Sequence, residues 1–477
     1  MSSNKKEDAS VDNFKSTADL TGNPGFKSSL SIASKDVVCD EKPYNPFEHR
    51  QIEHPTTTLG AILHFLKACL GTGILAMPAA FKNSGLVAGT IGTLLAGWLC
   101  THTVAMVVGT AQELCFAAKK PSLGYAEACG AAFTYGPKKL QSWGGVVRTI
   151  VDYSMVSTYF SVLCVYIVFI GSSFKEVFDV MFPELKLSVQ AYCALTLVPL
   201  VLICQIRNLK YLVPFSALAN LLILCVFGIT MYFIFTDLPP VKDREMVTSV
   251  TQWPLFFSTV IFAMEGIGVV MPIENEMKNP KRFLGCPGVL NVAMVIVISL
   301  YAVFGFFGYV QYGDDVKGSI TLNLPEDYII AQSAKLIMAI VMFLSYALQM
   351  YVPMEMINRM LQKRKTQSYN NLIQVTIRTT LVTATVAIAA AFPNLELVIS
   401  LAGAIFFSTL GLLFPAIIDT VYRWDRGLGK FNYVLWKNIF ICIISFIVLI
   451  SGTYVSVVAM IEDFSSGHDS SLNETLT

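Results

Sequence analysis

The sequence predicts an all-α membrane protein of eleven transmembrane helices. Ten form two five-helix repeats of opposite orientation, and one helix stands outside them. Three observations carry this expectation. Apolar residues fill 54% of the 477 positions and charged residues only 14%, whereas soluble domains carry about 25% charge. The charges are excluded from a series of long apolar runs. Two of those runs are interrupted by the same pattern, Gly-x-Gly followed by proline, at Gly71 and at Gly266.

A membrane helix keeps about 20 mainly apolar residues in hydrocarbon, because backbone groups cannot be left unpaired there. Eleven runs meet that need: 59–81, 87–112, 149–171, 189–206, 211–235, 255–273, 289–312, 329–352, 379–395, 397–418 and 438–460. Residues 1–58 precede them as a polar stretch rich in Ser, Lys and Asp, the composition of a disordered tail. The first apolar run is already a full span, so no cleavable signal peptide is expected. The transmembrane domain is 59–460, with repeat one at about 59–236, repeat two at about 254–418 and the extra helix at about 438–460. A short tail, 461–477, follows.

Basic residues in the connections orient the bundle. The connections on the side of the amino terminus hold 19 Lys and Arg, and those on the other side hold 6. The amino terminus is therefore expected in the cytosol and the carboxyl terminus outside or in a lumen. The last residues agree, with Glu462, Asp463, Asp469 and Glu474 and no Lys or Arg. Asn473 begins an Asn-Glu-Thr triplet there, a weak glycosylation candidate.

Several function classes drop out. A net charge of +1 without a clustered basic surface argues against nucleic-acid binding. The eleven cysteines contain no Cys-x-x-Cys pair, no metal-ligand set is recognisable, and Cys193 has no evident partner for an external disulfide. Gly71-Thr72-Gly73-Ile74-Leu75-Ala76 fits a dinucleotide fingerprint, but that motif works between a strand and a helix, and here it lies inside an apolar span. No hydrolase or nucleotide-binding motif is present, so an enzyme is not expected and no organic cofactor is implied.

The breaks carry the chemistry. Glycine costs about 1 kcal/mol in a helix interior and proline removes a backbone bond. A lone glycine in a membrane helix is usually a close-packing site. Here Gly71-Thr72-Gly73 precedes Pro78, and Glu265-Gly266-Ile267-Gly268 precedes Pro272. Each interruption falls in the first span of a five-span block. An odd block length makes the second block enter the membrane inverted. That is the LeuT-like 5+5 inverted repeat, with helices 1 and 6 discontinuous and the substrate held at their breaks. An unwound helix exposes N–H groups at a positive dipole end and carbonyls at a negative one. A zwitterionic amino acid presents a carboxylate and an ammonium that match those two ends. Gly71, Thr72, Gly73, Glu265, Gly266, Ile267 and Gly268 are accordingly the substrate-binding candidates.

Ionisable groups inside apolar spans are expensive and point to function. His64 lies seven residues before Gly71, roughly 10 Å away along a helix. Imidazole changes charge near neutral pH, so His64 reads either as a proton site or as a neutral ring bonded to a neighbouring helix. Glu265 reads as a proton-coupling carboxylate, as a partner for the substrate ammonium, or as a protonated acid bonded to freed backbone. His102 reads as structural. Glu274 and Glu276 follow the second break, and Lys67 and Lys335 are placed to snorkel or pair.

Residues His64-Phe65-Leu66-Lys67 and Gly71 to Pro78, with Ala80-Phe81-Lys82-Asn83-Ser84-Gly85, resemble the first span of the proton-coupled amino acid transporters of the amino acid/auxin permease superfamily. Phe262 to Met277 resembles their sixth span, and Ile206-Arg207-Asn208-Leu209-Lys210 their fourth connection. The resemblance covers about Thr57 to Met460. It implies symport of small neutral amino acids (alanine, glycine, proline) with protons, and it ties the first-span histidine, here His64, to proton coupling. The family's vertebrate exofacial disulfide has no counterpart in this chain. Some members act as growth-linked nutrient sensors on plasma or lysosomal membranes. Two alternatives therefore stand beside proton symport: a sensor whose amino-terminal tail meets growth-signalling partners, and a sodium-coupled symporter of the same fold. The eighth span offers only Ser345 beside Tyr346 for a sodium ion, which leans toward protons.

Overall fold

The computed structural model describes residues 44–50, 52, 55–184, 187–206, 209–264, 266–362 and 371–475. Among them the structure is helical throughout, apart from one isolated backbone bridge between Thr56 and Met277. The chain begins its first helix where the Thr57 hydroxyl accepts from the amide of Gly60 at 3.1 Å. Helix α1 (Thr58–Cys69) ends at the first glycine pair, and α2 (Thr72–Ser84) resumes with its axis turned by 53°. Gly85, at φ +85°, turns the chain into α3 (Leu86–Ala118). A side chain there would be strained and would also strike the Met246 backbone at 2.8 Å.

The short α4 (Tyr125–Thr134) leads into α5 (Gly144–Met181), then α6 (Val189–Leu195), α7 (Leu197–Cys204) and α8 (Leu209–Phe235). The second half is interrupted at the corresponding place, but Val250–Glu276 runs on as one span without a bend above 40°. Helix α9 (Trp253–Met264) stops before Gly266, and α10 (Ile267–Glu276) restarts after it. Then come α11 (Val289–Tyr312), α12 (Ile329–Gln362), α13 (Asn371–Ala391), α14 (Leu395–Ala402), α15 (Phe414–Arg423), α16 (Tyr433–Ile447) and α17 (Thr453–Thr475). Wider π turns at Gly403–Phe407 and Thr409–Leu413 join α14 to α15, and another at Val448–Gly452 joins α16 to α17.

Among the described residues nine helices are long and apolar enough to cross a membrane, and ten when α1 and α2 count as one bent span. The eleventh expected segment is the apolar pair α6–α7, Val189–Cys204. Its residues would rise only about 24 Å, short of the roughly 30 Å hydrocarbon core. Membrane character is plain on the outside of the bundle: Leu95 and Trp98 on α3, Leu202 on α7 and Leu221 and Leu224 on α8 are all exposed. Large apolar side chains facing outward in this way suit lipid rather than water as the solvent.

The bent pair α1–α2 and the interrupted span α9–α10 sit at the centre. Helix α2 packs on α9 and α11, α1 packs on α10 and α11, and α5 with α12 closes the other side. Gly73 explains how α2 and α9 come so near, because a methyl group there would lie 2.7 Å from the Cα of Ala263. The tail assigned to 1–58 contributes contacts at its end. Pro46–His49 forms a 3-10 turn, and buried Arg50 pairs with buried Glu274 of α10 at 3.2 Å. Thr56 donates to the Glu276 carbonyl at 2.8 Å and accepts from Lys278 at 3.0 Å. Of the membrane lysines, buried Lys335 lies 3.6 Å from Glu176 of α5. None of the ten cysteines among the described residues is in a disulfide, Cys193 included.

Candidate functional site: a cavity at two helix breaks

A cavity of about 140 Å³ lies where the broken helices meet. Its wall includes Gly71, Thr72 and Gly73 from the first break and Gly266 and Gly268 from the second. Neither α2 nor α10 has a side chain capping its first turn, since Gly71 and Gly266 occupy the capping positions. The α2 start thus offers uncapped amides and a positive dipole end at the cavity wall. Thr72, 6% exposed, begins that helix. At the second break the Gly266 carbonyl is already used, accepting from Val269 at 2.9 Å and Val270 at 3.0 Å. Ile267 starts α10, so its backbone also belongs to this break. Glu265 lies outside the described residues, so neither of its expected roles is placed.

Further side chains complete the wall. Tyr159 and Tyr166 come from α5, Gln349 from α12, and Phe262 and Phe407 from α9 and the π segment. A Cβ on Gly268 would lie 2.8 Å from the Tyr159 hydroxyl, so glycine lets the α10 backbone approach that tyrosine. Apart from Phe262, which opens the stretch resembling a sixth span, these residues do not stand out in the sequence. The signals were weak: two tyrosines seven apart share a helix face, and Gln349 is an amide in an apolar run. Phe407 was not legible, because its place depends on π turns that widen the helix beside the cavity.

A second cavity of about 420 Å³ adjoins the first and shares Ala68, Gly71, Tyr166, Val269 and Gln349 with it. Exposed His64 and Lys67 of α1 line it, with Glu276 at the end of α10. The two spaces form a passage from the breaks to the end of the bundle where the chain enters α1. Toward the other end the passage is closed by packing of α2 on α9, and Phe81 meets Phe256 edge to face at 6.4 Å. Beyond that contact the Asn83 amide donates to Glu396 at 2.7 Å, and Lys82 lies 3.6 Å from the same carboxylate. Seven of the predicted residues are thus brought near one passage: the five glycine and threonine positions and the start of α10 at its inner end, His64 along its outer part. His102 stands apart, stacked on Trp98 at 5.8 Å. Asn473 falls within α17 with its side chain outside the described residues.

A family model described as transmembrane amino acid transporter protein matches residues 54–458, most of the chain. The chain belongs to that family. Within it, this transporter-family chain is 39% identical over 426 residues to the Drosophila melanogaster protein called proton-coupled amino acid transporter-like protein pathetic, covering 89% of this chain and 90% of that one. It is 27% identical over 320 residues to vacuolar amino acid transporter 4 of Saccharomyces cerevisiae, covering 66% of this chain and 42% of the yeast protein. Among solved structures, the inward-facing conformation of Mhp1 aligns with a TM-score of 0.51 at 11% identity, over 87% of this chain and 93% of that one. At that identity the likeness concerns the fold alone. A LeuT-type helical arrangement and membership of an amino acid transporter family agree with the central placement of the two breaks.

Proposed function

We propose that the chain is a secondary active transporter carrying small neutral amino acids together with protons by alternating access. One observation carries the reading: two uncapped helix starts, built on glycine, face one cavity sized for a small solute. The substrate carboxylate would take the free amides at Thr72 and Gly73, and the ammonium the carbonyls of the opposing helix ends. Tyr159, Phe262 and Phe407 crowd the remaining space and favour small side chains. The names of the fly and yeast relatives support amino acids as the cargo, and the fly name supports protons.

In this reading the fold has eleven spans: α1–α8 as the first five-span repeat, α9–α15 as the inverted second, and α16–α17 as the extra helix, with the first and sixth discontinuous. The excess of basic residues in the connections on that side supports a cytosolic position for the open end of the passage. His64 is then the proton site, reached from that side by water, and Glu265 would share the role. Sodium coupling is less favoured because Tyr346, the neighbour of Ser345 on α12, is bonded to Thr385 of α13 at 2.7 Å. The membrane would be the plasma membrane or the lysosomal one, the yeast relative's vacuolar name supporting an internal address.

The test is electrical. Alanine, glycine and proline currents are recorded in voltage-clamped cells while external pH and sodium vary. Currents that grow on acidification and ignore sodium are expected. Sodium-dependent currents indifferent to pH would favour the sodium symporter instead. His64→Gln, at equal surface abundance, should flatten the pH dependence; an unaltered profile would remove His64 from the coupling role.

A further inference from the structure

Two helix carboxyl ends converge on one buried hydroxyl. Cys69 is the last residue of α1, and Ala263 is the penultimate residue of α9. Both carbonyls belong to the last turn of their helices, and that of Cys69 also accepts from the Gly71 amide at 2.9 Å. They also stand at the negative ends of two helix dipoles, so a donor shared between them favours their approach. The donor is Tyr301 of α11. Its side chain is fully buried, and its hydroxyl oxygen lies 2.5 Å from the Cys69 carbonyl and 2.9 Å from that of Ala263. Cys69 and Ala263 line the inner cavity, whereas Tyr301 stands behind them, outside the wall.

We propose that Tyr301 is a positioning residue that ties the two helix breaks together and sets the spacing of the substrate-binding backbone. A hydroxyl has one proton, so it serves the two carbonyls jointly only while both lie within reach. If α1 moves away from α9 during the cycle, the hydroxyl stays with one end and the other carbonyl is released. Tyr301 thereby favours the geometry in which both breaks face one cavity. The proposal rests on the transport reading above for its functional consequence, but its structural consequence can be read without transport.

The experiment compares wild type with Tyr301→Phe, which keeps the ring and removes the donor. Losing the one donor shared by the two helix ends should raise the KM for alanine about tenfold, with maximal rate per surface copy within about twofold. A donor-bearing ring, 4-aminophenylalanine introduced at position 301, should restore KM. In parallel, peptide-resolved maleimide labelling of Cys69, which is 4% exposed, reports whether the α1 end has loosened. Faster Cys69 labelling in Tyr301→Phe, reversed by the amino ring, supports the tie. Wild-type KM and wild-type labelling in Tyr301→Phe would overturn it. So would a raised KM that the amino ring leaves uncorrected. Should Tyr301→Phe fail to accumulate, the amino-ring protein carries the test through its own KM and labelling, and departure of either from wild type counts against the tie. If wild type itself carries no amino acid, the transport reading fails, while Cys69 labelling still decides the fate of the tie.

Discussion

Gly73 shows what a single residue can settle. A methyl group at this position would sit 2.7 Å from the Ala263 Cα and 3.1 Å from its carbonyl oxygen. Those are backbone atoms, which cannot rotate away, so α2 and α9 would have to part. Gly73→Val should lower alanine uptake at least about tenfold at equal surface abundance, through overpacking against a fixed wall. Retention of more than half the wild-type rate would show that the two helices have slack there. Gly71 is the useful contrast, since nothing lies within 4 Å of a Cβ built on it. Gly71→Ala is therefore expected to spare folding, and any loss of uptake would report on substrate contact rather than on packing. Glycine pairs were legible as residues, because two such interruptions in apolar spans need a reason. Their neighbours were not, since Ala263, Phe65 and Tyr159 come from positions far away in the chain.

Helix α10 is held at its carboxyl end by the segment that precedes α1. Arg50 donates to the Pro121 carbonyl at 2.8 Å, to the Glu274 carbonyl at 3.0 Å and to both Glu274 carboxylate oxygens at 3.2 Å. Gln112 of α3 adds a bond to Glu274 at 2.9 Å. The Arg50 and Glu274 side chains are only 4% and 1% exposed. Removing one partner of such a pair leaves a buried charge and costs about 3–5 kcal/mol, whereas replacing both with apolar groups of like size costs far less. Arg50→Met should accordingly lower the detergent-solubilised Tm by several degrees. Arg50→Met combined with Glu274→Met should recover much of the loss, and additive losses in the double variant would contradict a coupled pair. Sequence reading placed Glu274 beside the break and Arg50 in the tail, with nothing to connect them. The ninth and tenth spans show a similar limit. Expected at 379–395 and 397–418 and split by Pro393-Asn394-Leu395-Glu396, they part a few residues earlier, at Phe392–Asn394, where Pro393 stops α13 and the Asn394 side chain accepts from Leu397 at 3.3 Å to cap α14. The length of α13 toward 371 was hidden because polar residues there lie outside the apolar run.

Across the whole molecule, the passage is open at one end and closed at the other. Closure rests on apolar packing of α2 against α9 and α11, reinforced by Glu396 at the start of α14, which receives Asn83 and lies near Lys82 at the end of α2. Glu396 is 17% exposed and Lys82 27%, so the contact is partly screened and contributes on the order of 1 kcal/mol. An alternating-access cycle must break it to open that end. Glu396→Ala should therefore shift the population toward the state open on the far side, lowering the external KM for alanine up to about fivefold. An unchanged KM at equal abundance would show that packing alone holds the end closed.

By itself the sequence determined the solvent, the helical class, most of the apolar runs, and the two glycine stretches at which helix ends fall. These are local properties: hydropathy over about 20 residues and the backbone preferences of glycine and proline depend on the residues themselves. Only the tertiary structure decided that the breaks share a cavity, that Tyr159, Gln349 and Phe407 complete its wall, that His64 lines the outer passage, and that Arg50 and Tyr301 hold the helix ends. Each of those facts is a meeting of groups from separate helices, fixed by close packing and by the need to pair buried polar groups.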